Sequence, residues 1–456
     1  MPLAHITPAA LTALAVAGAL AMAPERRAAT PPDTTVAVDT TCASPAGAAV
    51  VPAGVACRPA DGDPIERLQQ RLAAGETTLA FDSTFGFLPA LLNALQIPVS
   101  SQGLVFSRTS LQTDKIAPWS PRALYFNDDV YVGYVQEGHF LEIASMHPSR
   151  GAVFYTLNQV AGKPPAFQRE GRTCLMCHQS AVTEGVPGLM TLSTIADRLG
   201  YPITGVQDGA MSDATPVAQR FGGWYVTGTH GVKGHSGNVR STRLSHEVDK
   251  TRYRSQIDLT TESMRTSLAD YFDTSAYLSG QSDVVALMVL VHQAVVHNLV
   301  TLVHRAADDA DRRYAGPRDA TQPGGGVPAT PTLQAAAARL VQALFFDDEA
   351  PLTAELHGTA TFTADFSSRG PRDRQGRSLR DFDLTRRLFK YPLSFLVYSD
   401  GIRALPPVAK REVFALIAAA LAGEPTSPLA HPVDPATRDA IRDILRETMP
   451  DAIASR

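Results

Sequence analysis

The sequence predicts an α+β fold: short antiparallel strands in the first half, one long buried helix, and a mainly helical C-terminal region. Three observations lead there. "DDVYVGYVQEGHFLEIASM" and "GAVFYTLNQ" carry β-branched and aromatic residues broken by Glu-Gly and Ser-Arg-Gly, which predicts strands at about 130–136, 140–145 and 152–157. "VVALMVLVHQAVVHNLVTLVHRAADDA" is one long apolar stretch that Ser282 or Asp283 can cap. Beyond a Gly- and Pro-rich segment, helical patterns recur at about 333–346, 381–400 and 407–422, the last entered through Pro406-Pro407 and closed by Gly423 and Pro425.

In chain order, Ala9 to Ala23 is an uncharged run of 15 residues, too short for a spanning helix of about 20 residues. It ends in small residues, and residues 1–23 are expected to be a signal peptide. Residues 24–64 are rich in Pro, Ala, Thr and Val and read as a poorly ordered lead-in. That stretch holds Cys42 and Cys57, for which an oxidising compartment would permit a disulfide that spacing alone does not establish. Residues 65–313 read as the core, 314–332 as a linker, and 333–456 as a helical region packed on the core, because "YPLSFLVYS" and "VFALIAAAL" need apolar cover. "RFGGWYVTGTHGVKGHSGN" reads as one more strand opening into a Gly-rich loop. A chain of 456 residues with a formal net charge of -4 presents no field for a polyanion, so a nucleic-acid partner is excluded.

The long helix also has the length of a membrane span from Val284 to Val303. His292, Gln293, His297 and Asn298 would then sit near its centre, expensive in lipid unless paired. A buried core helix is the expectation, with no transmembrane helix beyond the signal segment.

The chemistry sits in "GRTCLMCHQS", residues 171–180, which holds two of the four cysteines. In C-x-x-C-H the two thiols add across the vinyl groups of haem and the histidine ligates the iron from below. Cys174, Cys177 and His178 have that spacing. In shuffled chains of this composition the pattern arises about once per thousand, so chance does not account for it. A zinc site would need two further ligands, and there is no second C-x-x-C, so histidines from elsewhere would have to complete it. A thioredoxin-type pair should follow a buried strand, whereas "FQREGRT" is polar and turn-like. One covalently attached haem c is therefore expected, which fits export to the periplasm or another extracytoplasmic space.

With "GVPGLM", "GGWYVTGTHGVKGHSGN", "LMVLVHQAVVHN", "GPRDRQGRSLRDFDL" and "YPLSFLVYSDGIRALPP", this motif resembles, over about residues 120–423, exported single-haem proteins described as containing a cytochrome c domain. The resemblance implies haem at Cys174 and Cys177, His178 as axial ligand, and export. It implies no reaction.

Pro187 stands near the offset at which small cytochromes c place a carbonyl acceptor for the proximal imidazole, although "VPGL" also reads as a turn. None of Met190, Met211 and Met264 lies where those proteins carry a methionine ligand. For the sixth iron position the first candidate is His292 in the long helix, with His230 and His235 in the Gly-rich loop as alternatives. His297, five residues beyond His292, points about 140° away from it. Arg372, Arg374 or Arg377 could reach haem propionates, unless Asp373 and Asp381 engage them. The expected function is electron transfer with an unidentified redox partner. A haem enzyme of peroxidase or oxidase type, with an open sixth site, is the alternative, and a haem-based sensor or scaffold a third.

Overall fold

Period-two alternation in the first half builds a sheet with two different faces. The structure is a computed structural model that describes residues 62–206, 209–258, 264–313 and 329–450. The signal segment, the lead-in to residue 61 with Cys42 and Cys57, and linker residues 314–328 lie outside the described residues. Everything described falls in one unit, Pro59–Arg456.

Helix α1 (Pro64–Ala73) starts where Asp63 accepts the amides of Ile65 and Glu66 while the Glu66 side chain reaches back to the Asp63 amide, with Pro64 as the first helical residue. Helix α2 (Leu88–Ala94) follows. Strands β1 (Gly103–Val105), β2 (Arg122–Phe126), β3 (Val130–Tyr134), β4 (Phe140–His147), β5 (Gly151–Asn158) and β6 (Phe167–Glu170) then form a meander. Helix α3 (Arg172–His178) leaves its edge. A small ribbon pairs β7 (Leu192–Ser193) with β8 (Gly209–Ala210). Strand β9 (Trp224–Tyr225) joins the far side of β1, giving a seven-stranded sheet ordered β6-β5-β4-β3-β2-β1-β9 with every pair antiparallel. On one face Tyr125, Val132, Ile143 and Tyr155 cover α1 and α2. On the other, Phe126, Tyr131, Met146 and Phe154 meet the second core.

After the short α4 (Tyr253–Gln256), that second core is organised by α5 (Val284–Arg313). Asp283 caps it, taking the amides of Val285 and Ala286 on one carboxylate oxygen and that of Ala360 on the other. Its apolar stretch is 89% buried within the protein. Helix α6 (Pro331–Leu344) lies along it, with Leu333, Ala337, Leu340 and Leu344 inward. Around these pack α7 (Phe362–Ser367), α8 (Asp400–Arg403), α9 (Pro407–Ala422) and α10 (Pro435–Thr448). The mixed class with antiparallel strands and a helical C-terminal region is thus what the chain adopts.

One expected element is corrected. The expected helix over 381–400 does not form: Asp383 accepts the amides of Thr385 and Arg386, Leu384 takes a φ of 59°, and Phe382 bridges to Phe389. The side-chain turn at Asp383 outcompetes helical bonding, and Pro392 supplies no donor to resume it. Only a 3₁₀ turn, Phe395–Tyr398, and α8 follow.

Two measurements test this packing. Leu340→Ala empties a wholly buried site between α5 and α9 and should cost about 2–5 kcal/mol in chemical denaturation. Glu349 accepts the Leu388 amide at 2.8 Å, yet burial, with Asp213 nearby, pushes its carboxyl up to about 7. The unfolded chain releases that proton near pH ~4.3, so between there and about pH 7 the folded state binds more protons and stability falls as pH rises. Glu349→Gln should flatten this component when melting temperature is followed across the window.

Candidate functional site

Strand β6 ends at Glu170, Gly171 breaks it, and α3 follows with no side-chain cap and no buried residue. Cys174 and Cys177 stand three apart and His178 four from Cys174, so helical geometry puts all three on one side. Cys174 and Leu175 rest against the core, Cys177 is exposed, and Met176 is 71% exposed. Burial, with Glu170 and Glu142 nearby, pushes the Cys174 thiol up to about 11, which disfavours a reactive thiolate and leaves an uncharged thioether unaffected.

The His178 ring lies on Phe154 of β5, centroids 4.6 Å apart. Its Nδ1 is 2.9 Å from the Gly188 carbonyl, and the Gly188 amide returns a bond to the His178 carbonyl at 2.8 Å. A carbonyl only accepts, so Nδ1 carries the proton. Burial lowers the basicity of the ring, keeping it neutral, and Nε2 then presents a lone pair with no hydrogen-bond partner among the described residues. This is the ring orientation that a metal-binding histidine needs. The acceptor is Gly188 rather than Pro187, whose own carbonyl takes the Ala152 amide at 3.0 Å.

The loop after α3 is fastened from α5. Asn298 accepts the Leu189 amide at 2.8 Å and donates to the Leu189 carbonyl at 2.9 Å. A Cβ on Gly188 would lie 2.3 Å from Asn298 Oδ1, so only glycine fits between the two. Arg305 donates to the carbonyls of Glu184 and Gly185, and Arg339 of α6 grips the Glu184 carboxylate at 2.6 and 2.7 Å.

The histidines expected near the sixth position are engaged elsewhere. His292 is wholly buried, stacked on Phe346, with Nδ1 2.7 Å from Asp213 and Nε2 2.7 Å from Ser394, so both nitrogens are taken. His297 donates through Nε2 to the Asp128 carbonyl at 2.7 Å. In His230 and His235 Nδ1 accepts the amides of Val232 and Gly237; burial lowers the basicity of the His235 ring, which places its proton on Nε2, an atom buried with no hydrogen-bond partner among the described residues. Their rings face each other, centroids 4.2 Å apart, next to a turn in which Gly231 and Lys233 are exposed and Val232 packs against the core. Met211 Sδ accepts the Phe221 amide, and Met264 is 49% exposed. Of the arginines considered for propionates, Arg372 is bound to Asp381 and Gly376 and Arg377 to Asp373 and Asp443, while Arg374 is 91% exposed and 3.8 Å from Glu447.

Sequence reasoning missed the Asp213-His292-Ser394 array, whose members lie 79 and 102 residues apart. It has the bonding pattern of a hydrolytic triad, but both His292 and Ser394 are 0% exposed, and Ser394 Oγ is also used to accept the Leu396 amide. It joins three segments inside the core. The positioning roles of Gly188, Asn298 and Phe154 were also missed; the small residue ten positions after His178 was the available signal for Gly188.

No family model matches this sequence, and no curated protein or solved structure matches it.

Two variants separate site from scaffold. His292→Ala strands Asp213 and Ser394 and should cost about 3 kcal/mol in denaturation while leaving the optical spectrum of a haem-loaded sample unchanged. Conversion from low to high spin would place His292 on the iron. Asn298→Ala should cost about 1–3 kcal/mol through two unpaired backbone groups at Leu189, read as a lowered unfolding midpoint.

Proposed function

We propose that this chain is an exported c-type haem protein that carries one haem through thioethers at Cys174 and Cys177, with His178 as axial ligand, and passes single electrons at a haem edge close to solvent. The observation that carries the reading is the His178 ring, held by its Nδ1–H on the Gly188 carbonyl with Nε2 lacking a partner, on the same short helix as both cysteines. The exposure of Cys177 and Met176 supports an edge within reach of a redox partner. The resemblance to exported single-haem proteins points the same way. Bound haem supplies the one-electron couple of its iron. The protein's part is to fix the imidazole tautomer through Gly188, hold that loop through Asn298, and keep the ring neutral by burial.

A second reading, a haem enzyme of peroxidase or oxidase type, is favoured by one observation. His230, His235, His292 and His297 all have ring nitrogens committed to hydrogen bonds inside the protein. His292, the first candidate for the sixth position, has both nitrogens taken and cannot reach an iron without rearrangement.

Production with a cytochrome c maturation system tests both. The pigment should survive acid-acetone extraction, and serine at both cysteines should release it. Complete extraction from the wild type would refute covalent attachment. A carrier should be low-spin and slow to bind carbon monoxide when reduced. A high-spin protein that binds it at once would replace the carrier with the enzyme.

A further inference from the structure

The inference here rests on the haem reading above and concerns what holds the carboxylate arms of that group. The sheet face under His178 continues in register beyond Phe154. Ala144 pairs with Phe154, and the next row runs Leu124, Gly133, Glu142, Thr156. Gly133 adds no side chain, so the row is low between Leu124 and Glu142. Leu124 and Ala144 are only partly buried and belong to the same core margin as Cys174 and Leu175.

Arg122 stands on this face at the start of β2. Its Nη1 donates to Glu142 Oε2 at 2.9 Å, with both side chains 16% exposed, and Ser110 Oγ donates to the other Glu142 oxygen at 2.6 Å. Glu142 is thereby satisfied on both oxygens, and Arg122 is not. Its Nε is buried with no partner, and its Nη2 makes no hydrogen bond among the described residues. Nε and Nη2 are the two parallel donors of the guanidinium's side edge, the edge that takes a carboxylate bidentately. A buried guanidinium donor without an acceptor is costly, and a second carboxylate would remove that cost. The pair lies within electrostatic reach of the motif: Glu142 acts on both Cys174 and His178, and Arg122 acts on His178. Of the arginines in the 372–377 loop, by contrast, Arg372 and Arg377 already have their acceptors and Arg374 is 91% exposed.

We propose that Arg122 is the propionate clamp of the haem held at Cys174, Cys177 and His178, using its Nε–Nη2 edge for one propionate while Nη1 stays on Glu142. An arginine-bound propionate remains ionised through the range of about pH 5 to 8, and a solvated one titrates below it, whereas a propionate left against the sheet without its arginine is raised into that range by desolvation, so that reducing the iron draws in a proton.

The experiment is spectroelectrochemical titration of the haem-loaded wild type, R122Q, and the double variant R122Q/E142Q, which strands no charge if R122Q alone fails to mature. In the wild type the midpoint potential should be nearly independent of pH across that range. In R122Q, or in the double variant, it should fall as pH rises, and R122K should restore part of the wild-type profile. A variant lacking Arg122 whose profile matches the wild type overturns the proposal and leaves the haem reading standing. A wild type without covalent haem overturns both.

Discussion

The structure depends on burying one helix. Helix α5 is apolar on nearly all sides, and a helix of that kind must be surrounded, by lipid or by protein. Here the sheet covers one side and α6 with its neighbours covers others. Its polar side chains are then the problem, since each must find a partner inside the core. His292 holds Asp213 and Ser394, Gln293 the carbonyls of Asn127 and Asp128, and His297 the same Asp128 carbonyl. Asn298 holds Leu189, and His304 the Gly401 carbonyl. Loops far apart in sequence are therefore fixed to a single rod.

The candidate site inherits its order from that rod. Helix α3 buries no residue of its own and is too short to hold a side chain to a fraction of an ångström. What steadies His178 is a chain of contacts: Phe154 beneath the ring, Gly188 on Nδ1, Asn298 on the next residue, and α5 beneath Asn298. On the proposed reading, an exposed helix bearing both cysteines, with an internally anchored imidazole, suits a group that must be both positioned and reached from solvent.

Much of this was legible in the sequence, in proportion to how local the cause was. Strands β3, β4 and β5, α5 with its cap at Ser282-Asp283, and α9 between Pro407 and Gly423 follow from alternation, apolar length and capping, all properties of neighbouring residues, whereas β1, β2 and β6 were not expected, the last falling on the polar "FQRE" that read as a turn. The failure at 381–400 has a local cause too, the Asp383 turn, which competes with helix in a way that apolar spacing does not register. The spacing of Cys174, Cys177 and His178 was fully visible, whereas the clamp from Asn298 joins residues 109 apart. The emphasis on His292 illustrates the limit. A histidine in an apolar helix offers the same letters whether it faces iron or an aspartate 79 residues away, and only the fold brings Asp213 to it.

The account stands or falls on the chemistry at α3, and one measurement reaches it directly. The natively matured protein is denatured, digested, and the peptide spanning Cys174 to His178 weighed. The account predicts that this peptide carries the mass of one haem and has no thiol left to alkylate. A peptide of unmodified mass, with both Cys174 and Cys177 alkylated, would contradict it.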